Sequence, residues 1–281
     1  MSLPTTIAAA TAPVDLDTYC ARIGYDGLRT PTLATLRALH ELHPAAIVFE
    51  AIDVLLDRRI DLSPAAVDAK LIHARRGGYC FEQNSLFKRV LTAIGFQVEG
   101  LSARVRWQMP ADAPPTPSTH MVLRVVVDGE AWLADVGFGG CVPTAPLRLG
   151  TTIPQGTPHE AFRVLPLDGG ARVEADLGGQ WAPLYELSYE PMHNADYELR
   201  NWYTSTHPRS HFRHDLIVSR VTPQARYTLR RNQYSVRTAD GALERRMLDA
   251  DGIERMLAEV FTLPVEPAWR AVIARAAQQQ S

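Results

Sequence analysis

Cysteine is scarce in this chain: Cys20, Cys80 and Cys141 are the only three in 281 residues. So sparse and odd a set builds no disulfide framework. With no CxxC pair there is also no zinc-ribbon or thioredoxin-like motif. No stretch approaches the ~18 consecutive apolar residues of a membrane-spanning helix. The opening MSLPTTIAAATA lacks the basic start and sustained apolar core of a signal peptide, so a cytoplasmic protein is expected. Neither sign of charge dominates: 29 Lys+Arg face 31 Asp+Glu, for a formal net charge of -2. That removes the bulk electrostatic argument for nucleic acid or an anionic membrane as partner, while a small anionic ligand needs only a local pocket. No GxxxxGK[ST] loop is present, so phosphates would meet scattered donors. There is no internal repeat, and nothing in the sequence sets an oligomeric state.

Hydrophobic residues at 46% and charged residues at 21% are ordinary for a globular protein. The length suits roughly two units of about 150 residues, with one large or three small units also open, and a core that needs no covalent staples. Leu33, Leu36, Leu39 and Leu42 recur at threes and predict a helix that Pro44 follows. Ser63 and Pro64 read as N-cap and first helical residue of a helix reaching about Ala74 and stopping at Gly77-Gly78. A further helix starts near Cys80, with Leu86, Val90, Leu91 and Ile94 on one face and Gly95 as C-cap.

Past Gly95 the period changes to two. Strands are expected over 97–107, 121–127 and 131–136, the last two joined by a hairpin at Asp128-Gly129. Between the first two, MPADAPPTPST carries four prolines and reads as a loop. Further strands are expected over 161–165, 171–175 and 181–187, then a short helix over 194–202. Strands over 227–230, 234–238 and 243–247 and closing helices over 251–261 and 267–277 follow. Helices first, then antiparallel strands, then a mixed end argue for an α+β fold rather than a doubly wound parallel sheet.

Arg75-Arg76-Gly77-Gly78-Tyr79-Cys80-Phe81-Glu82-Gln83-Asn84 is the most informative stretch. A cysteine opening a helix meets unpaired amides and a partial positive charge that favour thiolate. Glycines before it allow close approach of another backbone or a substrate. His120 opens a strand straight after the proline loop, and Asp135 lies near the end of the next strand. Counted outward from the Asp128-Gly129 turn, they sit within two pairing positions of each other. A carboxylate there can hold one imidazole nitrogen while the other faces a thiol. Taken singly, each residue has a commoner reading: a small buried hydrophobe for Cys80, a hydrogen-bonded surface ring for His120, a turn residue for Asp135. Taken together they make a nucleophile, a base and an orienting acid, and such pairing pulls a thiol pKa from ~8.5 to as low as ~3–4.

RGGYCFEQN, THMVLRV, DVGFGG and WYTSTHPRSHF together resemble the arylamine N-acetyltransferases, in motif order, in the spacings between Cys80, His120 and Asp135, and in total length. The resemblance implies an N-terminal helical bundle, a central antiparallel β-barrel and a C-terminal α/β lid, with a cysteine-protease-like catalytic core. The corresponding ranges are 1–96 with the nucleophile, 97–203 with His and Asp, and 204–281. It implies Cys80, His120 and Asp135 as the triad and acetyl-CoA as a substrate rather than a tightly bound cofactor. Acetyl would pass to an arylamine, arylhydrazine or N-hydroxyarylamine by ping-pong steps through acetyl-cysteine. Phe138 matches the acceptor wall, and Trp107, Thr119, Gly139 and Phe212 match coenzyme contacts of some bacterial members. Arg76, with Glu50 and Asn84 as partners, matches a structural arginine; a buried Arg76–Glu50 pair would cost ~3–5 kcal/mol to break, against ~0–1 for a surface pair. The residue after Glu50 is Ala51, where the family commonly has Asn.

His207, His211 and His214 have a partly zinc-like spacing, but Pro208 intervenes and no HExxH is completed, so no metal is expected. Cys141 reads as a buried spectator and Cys20 as core. The same triad would also serve a related amide synthase, thiol hydrolase or transglutaminase-like enzyme with another donor or acceptor. A non-catalytic binding module is the remaining alternative, against which the intact triad argues.

Overall fold

The Asp15 carboxylate accepts the amides of Asp17 and Thr18 and so starts α1 (Leu16–Ile23), which ends on Gly24 in the left-handed conformation. The computed structural model describes residues 13–110 and 112–279; the first twelve residues, where no signal peptide is expected, lie outside these. Thr32 caps α2 (Leu33–Ala46). Pro44 lies inside this helix and not after it. In the last turn a proline removes only its own N–H, so the helix can run on to Ala46.

Next come β1 (Phe49–Glu50), α3 (Ile52–Leu55) and α4 (Pro64–Asp68). Pro64 is at the first helical position as expected, but the Ser63 side chain makes no capping bond. The helix then widens into a π turn over Ala69–His73. α5 (Cys80–Ile94) begins on the nucleophile candidate and stops at Gly95, φ 105°.

Eight strands form the middle: β2 (Gln97–Val105), β3 (His120–Val127), β4 (Glu130–Ala134), β5 (Leu147–Arg148), β6 (Gln155–Gly156), β7 (Ala161–Leu167), β8 (Gly170–Asp176) and β9 (Trp181–Ser188). They pair antiparallel in the order β5-β4-β3-β2-β9-β8-β7-β6, a nearly closed barrel. At the open seam the Gln155 carboxamide accepts the Arg148 amide at 2.7 Å and donates to its carbonyl at 3.0 Å, standing in for a strand neighbour. Asp128 and Gly129 both have positive φ, 51° and 77°, as a two-residue hairpin turn of the twist-matched kind requires. β4 is shorter than expected and leaves Asp135 just past its end.

α6 (Asn194–Thr206) leads into β10 (Ile217–Val221), β11 (Ala225–Arg230), β12 (Gln233–Thr238) and β13 (Leu243–Met247), then α7 (Ala250–Glu259) and α8 (Arg270–Gln278). The second sheet has the order β1-β10-β11-β12-β13, so two residues from the helical region form its edge. Three apolar cores result: α1, α2 and α5 against one side of β3; the barrel interior; and α7 and α8 under the second sheet. β3 is buried on both sides, with Met121, Leu123 and Val125 in the helical core and Val122 in the barrel core. It carries His120 at its first residue, on the Val122 side by the two-residue pleat.

Candidate active site

The loop before Cys80 is placed by backbone contact. Gly78 donates to the Val48 carbonyl at 3.3 Å and Glu50 donates to the Gly78 carbonyl at 3.1 Å. A Cβ on Gly77 would lie 2.2 Å from that Val48 oxygen, so only glycine lets the loop lie flat on β1. Cys80 is thereby held as the first residue of α5, 5% exposed, with its Sγ donating to the Thr119 carbonyl at 3.6 Å. Gly137 also passes close to the residue itself: a Cβ there would lie 2.8 Å from the Cys80 Cα.

His120 and Asp135 are both buried, and Nε2 of the ring meets Asp135 Oδ2 at 2.7 Å. Nε2 donates to the carboxylate, which leaves Nδ1 as the nitrogen for Cys80. Burial opposes a charged ring here, but the charge and hydrogen bond of Asp135, with those of Cys80, outweigh it and push His120 up to about 10. Burial likewise opposes the charge of Asp135. His120, the Asn84 amide and the Gly137 N–H nevertheless hold it below the usual carboxylate range. Asn84 donates to Asp135 Oδ1 at 3.0 Å and to the Met121 carbonyl at 2.7 Å, and its own oxygen accepts Val136 N–H at 3.1 Å. Asn84 therefore ties α5 to both strands of the hairpin that carries His120 and Asp135.

Aromatic rings surround the imidazole. Phe138 and Tyr185 lie 5.3 and 5.0 Å from the His120 ring, and Trp107 lies 6.4 Å from Phe138. Burial first, and then the Asp135 charge, push the Tyr185 phenol well above its ordinary value. Phe212 packs on Tyr79 and Phe49, at 5.6 and 6.1 Å. Gly139 faces the same Phe49, and a Cβ there would touch it at 3.4 Å. Trp107, Thr119, Phe138 and Phe212 each keep part of their surface exposed beside a buried Cys80, His120 and Asp135.

Behind the loop before Cys80 lies a knot of charge. Arg76 meets Glu50 at 2.8 Å, Asp53 at 3.2 Å and Glu266 at 3.3 Å, while its guanidinium stacks 4.8 Å from the Trp269 ring. Lys70, in the π turn, meets Asp53 at 2.8 Å and Glu82 at 2.7 Å, and Glu82 also accepts the Tyr79 N–H at 3.1 Å. Burial works against Arg76 and Lys70, yet the acids around them raise both. Asp53 is held low against its burial by Lys70 and Arg76. Glu50 and Arg76 are thus a buried pair, side chains 0% and 6% exposed, and not a surface one.

A neutral relay lies beside this knot. The Tyr19 hydroxyl donates to Nδ1 of His43 at 2.8 Å, and Nε2 of His43 donates to the Gln83 oxygen at 2.7 Å. The Gln83 amide in turn donates to the carbonyls of Val48 and Gly78 at 2.8 and 3.1 Å. Burial holds His43 down at about 3.

Sequence reasoning missed Asp53, Lys70, Glu82, Glu266, Tyr185 and this relay. Only Glu82 carried a local signal, three residues after the N-cap Tyr79, where an acid can reach back to the N-cap amide. The loop histidines are occupied singly: His207 stacks on Tyr203 at 4.5 Å, and His214 bonds the Pro208 carbonyl at 2.6 Å. Among the described residues there is no cluster of side chains fit to hold a metal, and no helix long and apolar enough to cross a membrane. Cys20 and Cys141 are buried and unpaired, and burial pushes Cys141 up to about 12.

A buried thiol beside an imidazole that a carboxylate orients, on a helix laid against a barrel, is the arrangement by which enzymes carry acyl groups on sulfur. Residues 32–270 match the family model described as N-acetyltransferase. An arylamine N-acetyltransferase of Mycolicibacterium smegmatis is 44% identical over 240 residues, covering 84% of this chain and 87% of the relative. A Salmonella typhimurium protein named arylamine N-acetyltransferase / N-hydroxyarylamine O-acetyltransferase is 39% identical over 252 residues, covering 89% of each. The solved structure of the Mycobacterium marinum arylamine N-acetyltransferase in complex with CoA superposes with a TM-score of 0.89 at 38% identity, over 94% of this chain and 99% of that one. The chain belongs to the arylamine N-acetyltransferase family and is an acyltransferase.

Proposed function

We propose that this chain carries acetyl from acetyl-CoA to the nitrogen of arylamines and arylhydrazines, and to the oxygen of N-hydroxyarylamines, through acetyl-Cys80. The observation that carries the reading is the series Cys80, His120, Asp135, with 2.7 Å between ring and acid and the nucleophile at the start of a helix.

The chemistry runs in two halves. Cys80 sulfur, its proton taken up by His120, attacks the thioester carbonyl. The new C–S bond forms as the bond to the CoA sulfur breaks, and His120 returns the proton to that sulfur. One thioester replaces another, so the step is close to isoenergetic. The amine nitrogen then attacks acetyl-Cys80, His120 takes a proton from it, and the amide leaves with Cys80 restored. CoA leaves before the amine reacts, and two such half-reactions in one pocket make the kinetics ping-pong. Asp135 keeps Nε2 occupied, so the ring meets the sulfur through Nδ1 alone. An arylamine of low basicity is uncharged near neutrality and can approach a water-poor, aromatic-walled sulfur without a desolvation penalty on charge.

Phe138 is the acceptor wall in this reading, and Trp107, Thr119, Gly139 and Phe212 are the coenzyme contacts. The support is the partial exposure of Trp107, Thr119, Phe138 and Phe212, with Thr119 bonded to Cys80, Phe138 on His120, Trp107 on Phe138, and Phe212 and the buried Gly139 both against Phe49. Arg76, Glu50 and Asn84 are supports: the first two brace the loop and the third ties helix to hairpin. The units in this reading are 1–96, 97–203 and 204–281; their cores are shared across the bounds, since Met121, Leu123 and Val125 pack into the helical core and Val48 and Ile52 into the core under the second sheet. The reaction belongs in the cytoplasm, a placement in keeping with three unpaired thiols.

Intact-mass measurement after brief exposure to acetyl-CoA, with no amine present, tests the first half. One acetyl group is expected, located on Cys80, and Cys80→Ser should fold normally yet gain none. An acetylated Cys80→Ser protein, or turnover near wild type in that variant, refutes the assignment. Acylation of Cys80 that adding an aniline fails to discharge would instead point to another acceptor.

A further inference from the structure

Asp135 is held by its backbone as well as by its carboxylate. β4 ends at Ala134, so the Asp135 N–H has no place in the strand ladder, and being buried it needs an acceptor. That acceptor is a side chain from far back in the sequence: Nε2 of His40, on α2, 3.0 Å away. His40 is itself fully buried, and Phe87 of α5 packs edge-on against its ring at 5.9 Å. An accepting Nε2 carries no hydrogen, so the proton of the neutral ring sits on Nδ1. Nδ1 is buried and meets no partner of good geometry. Pro44, four residues on in the same helix, has no N–H to close on the His40 carbonyl. Neither the orphaned nitrogen nor the proline is explained by the acyl-transfer steps themselves.

We propose that His40 is a positioning residue for acyl transfer: as a neutral acceptor it fixes the peptide of Asp135, and so the direction from which the carboxylate meets His120. The inference rests on the reading of Cys80, His120 and Asp135 as the triad. The groups that face His40 are Asp135 beyond β4, His43 on its own helix and the uncharged Phe87 ring. Burial, against the pull of Asp135 and of its own carbonyl, holds His40 down at about 4, so the ring remains an acceptor at neutral pH. A protonated ring would set N–H against N–H, and the Asp135 peptide would lose its anchor.

His40→Leu fills the space and removes the acceptor, whereas His40→Gln supplies a carboxamide oxygen. The measurement is the pH–rate profile of the acylation half-reaction with acetyl-CoA, taken below the Tm of each variant. His40→Leu should lose roughly 10-fold or more in acylation rate, because small misplacements of an orienting group are costly. Its alkaline limb should move to lower pH, because a slackened Asp135 no longer holds His120 high. His40→Gln should stay within about 3-fold of wild type, with its profile unmoved. A His40→Leu protein with a lower Tm but wild-type rate and profile overturns the inference, since that is what a packing role alone gives. Should His40→Leu fail to fold, His40→Gln decides: a folded protein with a displaced profile and depressed rate overturns it, and an unmoved one supports it. Acylation surviving in Cys80→Ser would fail the triad reading instead, whatever the His40 variants do.

Discussion

Two polar regions flank the start of α5, and they are built on opposite plans. On one side Cys80, His120 and Asp135 form a single line with one ion pair, and aromatic rings fill the space around it. On the other side Arg76 and Lys70 are crossed with Asp53, Glu50, Glu82 and Glu266, so that Arg76, Lys70 and Asp53 each have more than one opposite partner. In the crossed cluster a proton lost from Arg76 would leave buried Glu50 without a charged partner, and one lost from Lys70 would leave buried Glu82 without one. The cluster is a brace. Along the single line, the proton of His120 answers to one acid and one sulfur, so a change on the sulfur moves it. The same contrast separates the buried histidines. His120 bonds a carboxylate and is pushed up, whereas His40 and His43 bond only neutral groups, an N–H, a hydroxyl and an amide, and burial pushes them down.

Breaking the brace should have the largest effect on stability. Arg76→Met leaves Glu50, fully buried, without its guanidinium partner, and should cost about 3–5 kcal/mol in urea unfolding. Full stability in that variant, with activity gone, would mean that the crossed cluster belongs to the chemistry and not to the scaffold.

Acid should separate the two kinds of histidine. His40 and His43 are depressed from 6.5 to about 4 and about 3, so between these values the unfolded chain binds protons that the folded chain refuses. Stability should therefore fall as pH drops below 6.5, by roughly 3 kcal/mol from His40 alone once pH 4 is reached. His120 has the opposite sign: its contribution is complete below 6.5 and is lost as pH climbs toward 10. Urea midpoints measured from pH 4 to 10 should be highest between these windows. A flat acid limb would mean that His40 and His43 are not buried neutral.

The smallest change is expected at the barrel edge, where Arg148 and Glu130 pair at 2.7 Å with both side chains half exposed. Glu130→Ala should shift the urea midpoint by less than about 1 kcal/mol equivalent and leave acylation unchanged.

Much of this was legible along the chain because its signals are local. Pro64 at the start of α4, Gly95 after Ile94 and the Asp128-Gly129 turn each act on residues a few positions away. The turn also sets a register, and that register alone places His120 and Asp135 within two pairing positions of each other. Pro44 misled because its effect depends on the turn of the helix it occupies. β1 was illegible because two residues have no periodicity, and their partner strand β10 begins at Ile217. Glu266 and Gln155 gave no warning for the same reason: what they touch lies far off in sequence, at Arg76 and Arg148.

The order of amino acids alone dictated which groups are available and how the nearest of them are spaced: a thiol at a helix start, an imidazole and an acid across a two-residue turn. Tertiary structure decided their states. Whether a buried ring is charged or neutral depends on what fills the last few ångströms around it. For His120 that is Asp135, just past the end of the neighbouring strand; for His40 it is a dry surround whose one bonded partner is a peptide N–H 95 residues away. Electrostatic energy in a dry interior is set by distance through space, and distance along the chain does not enter it.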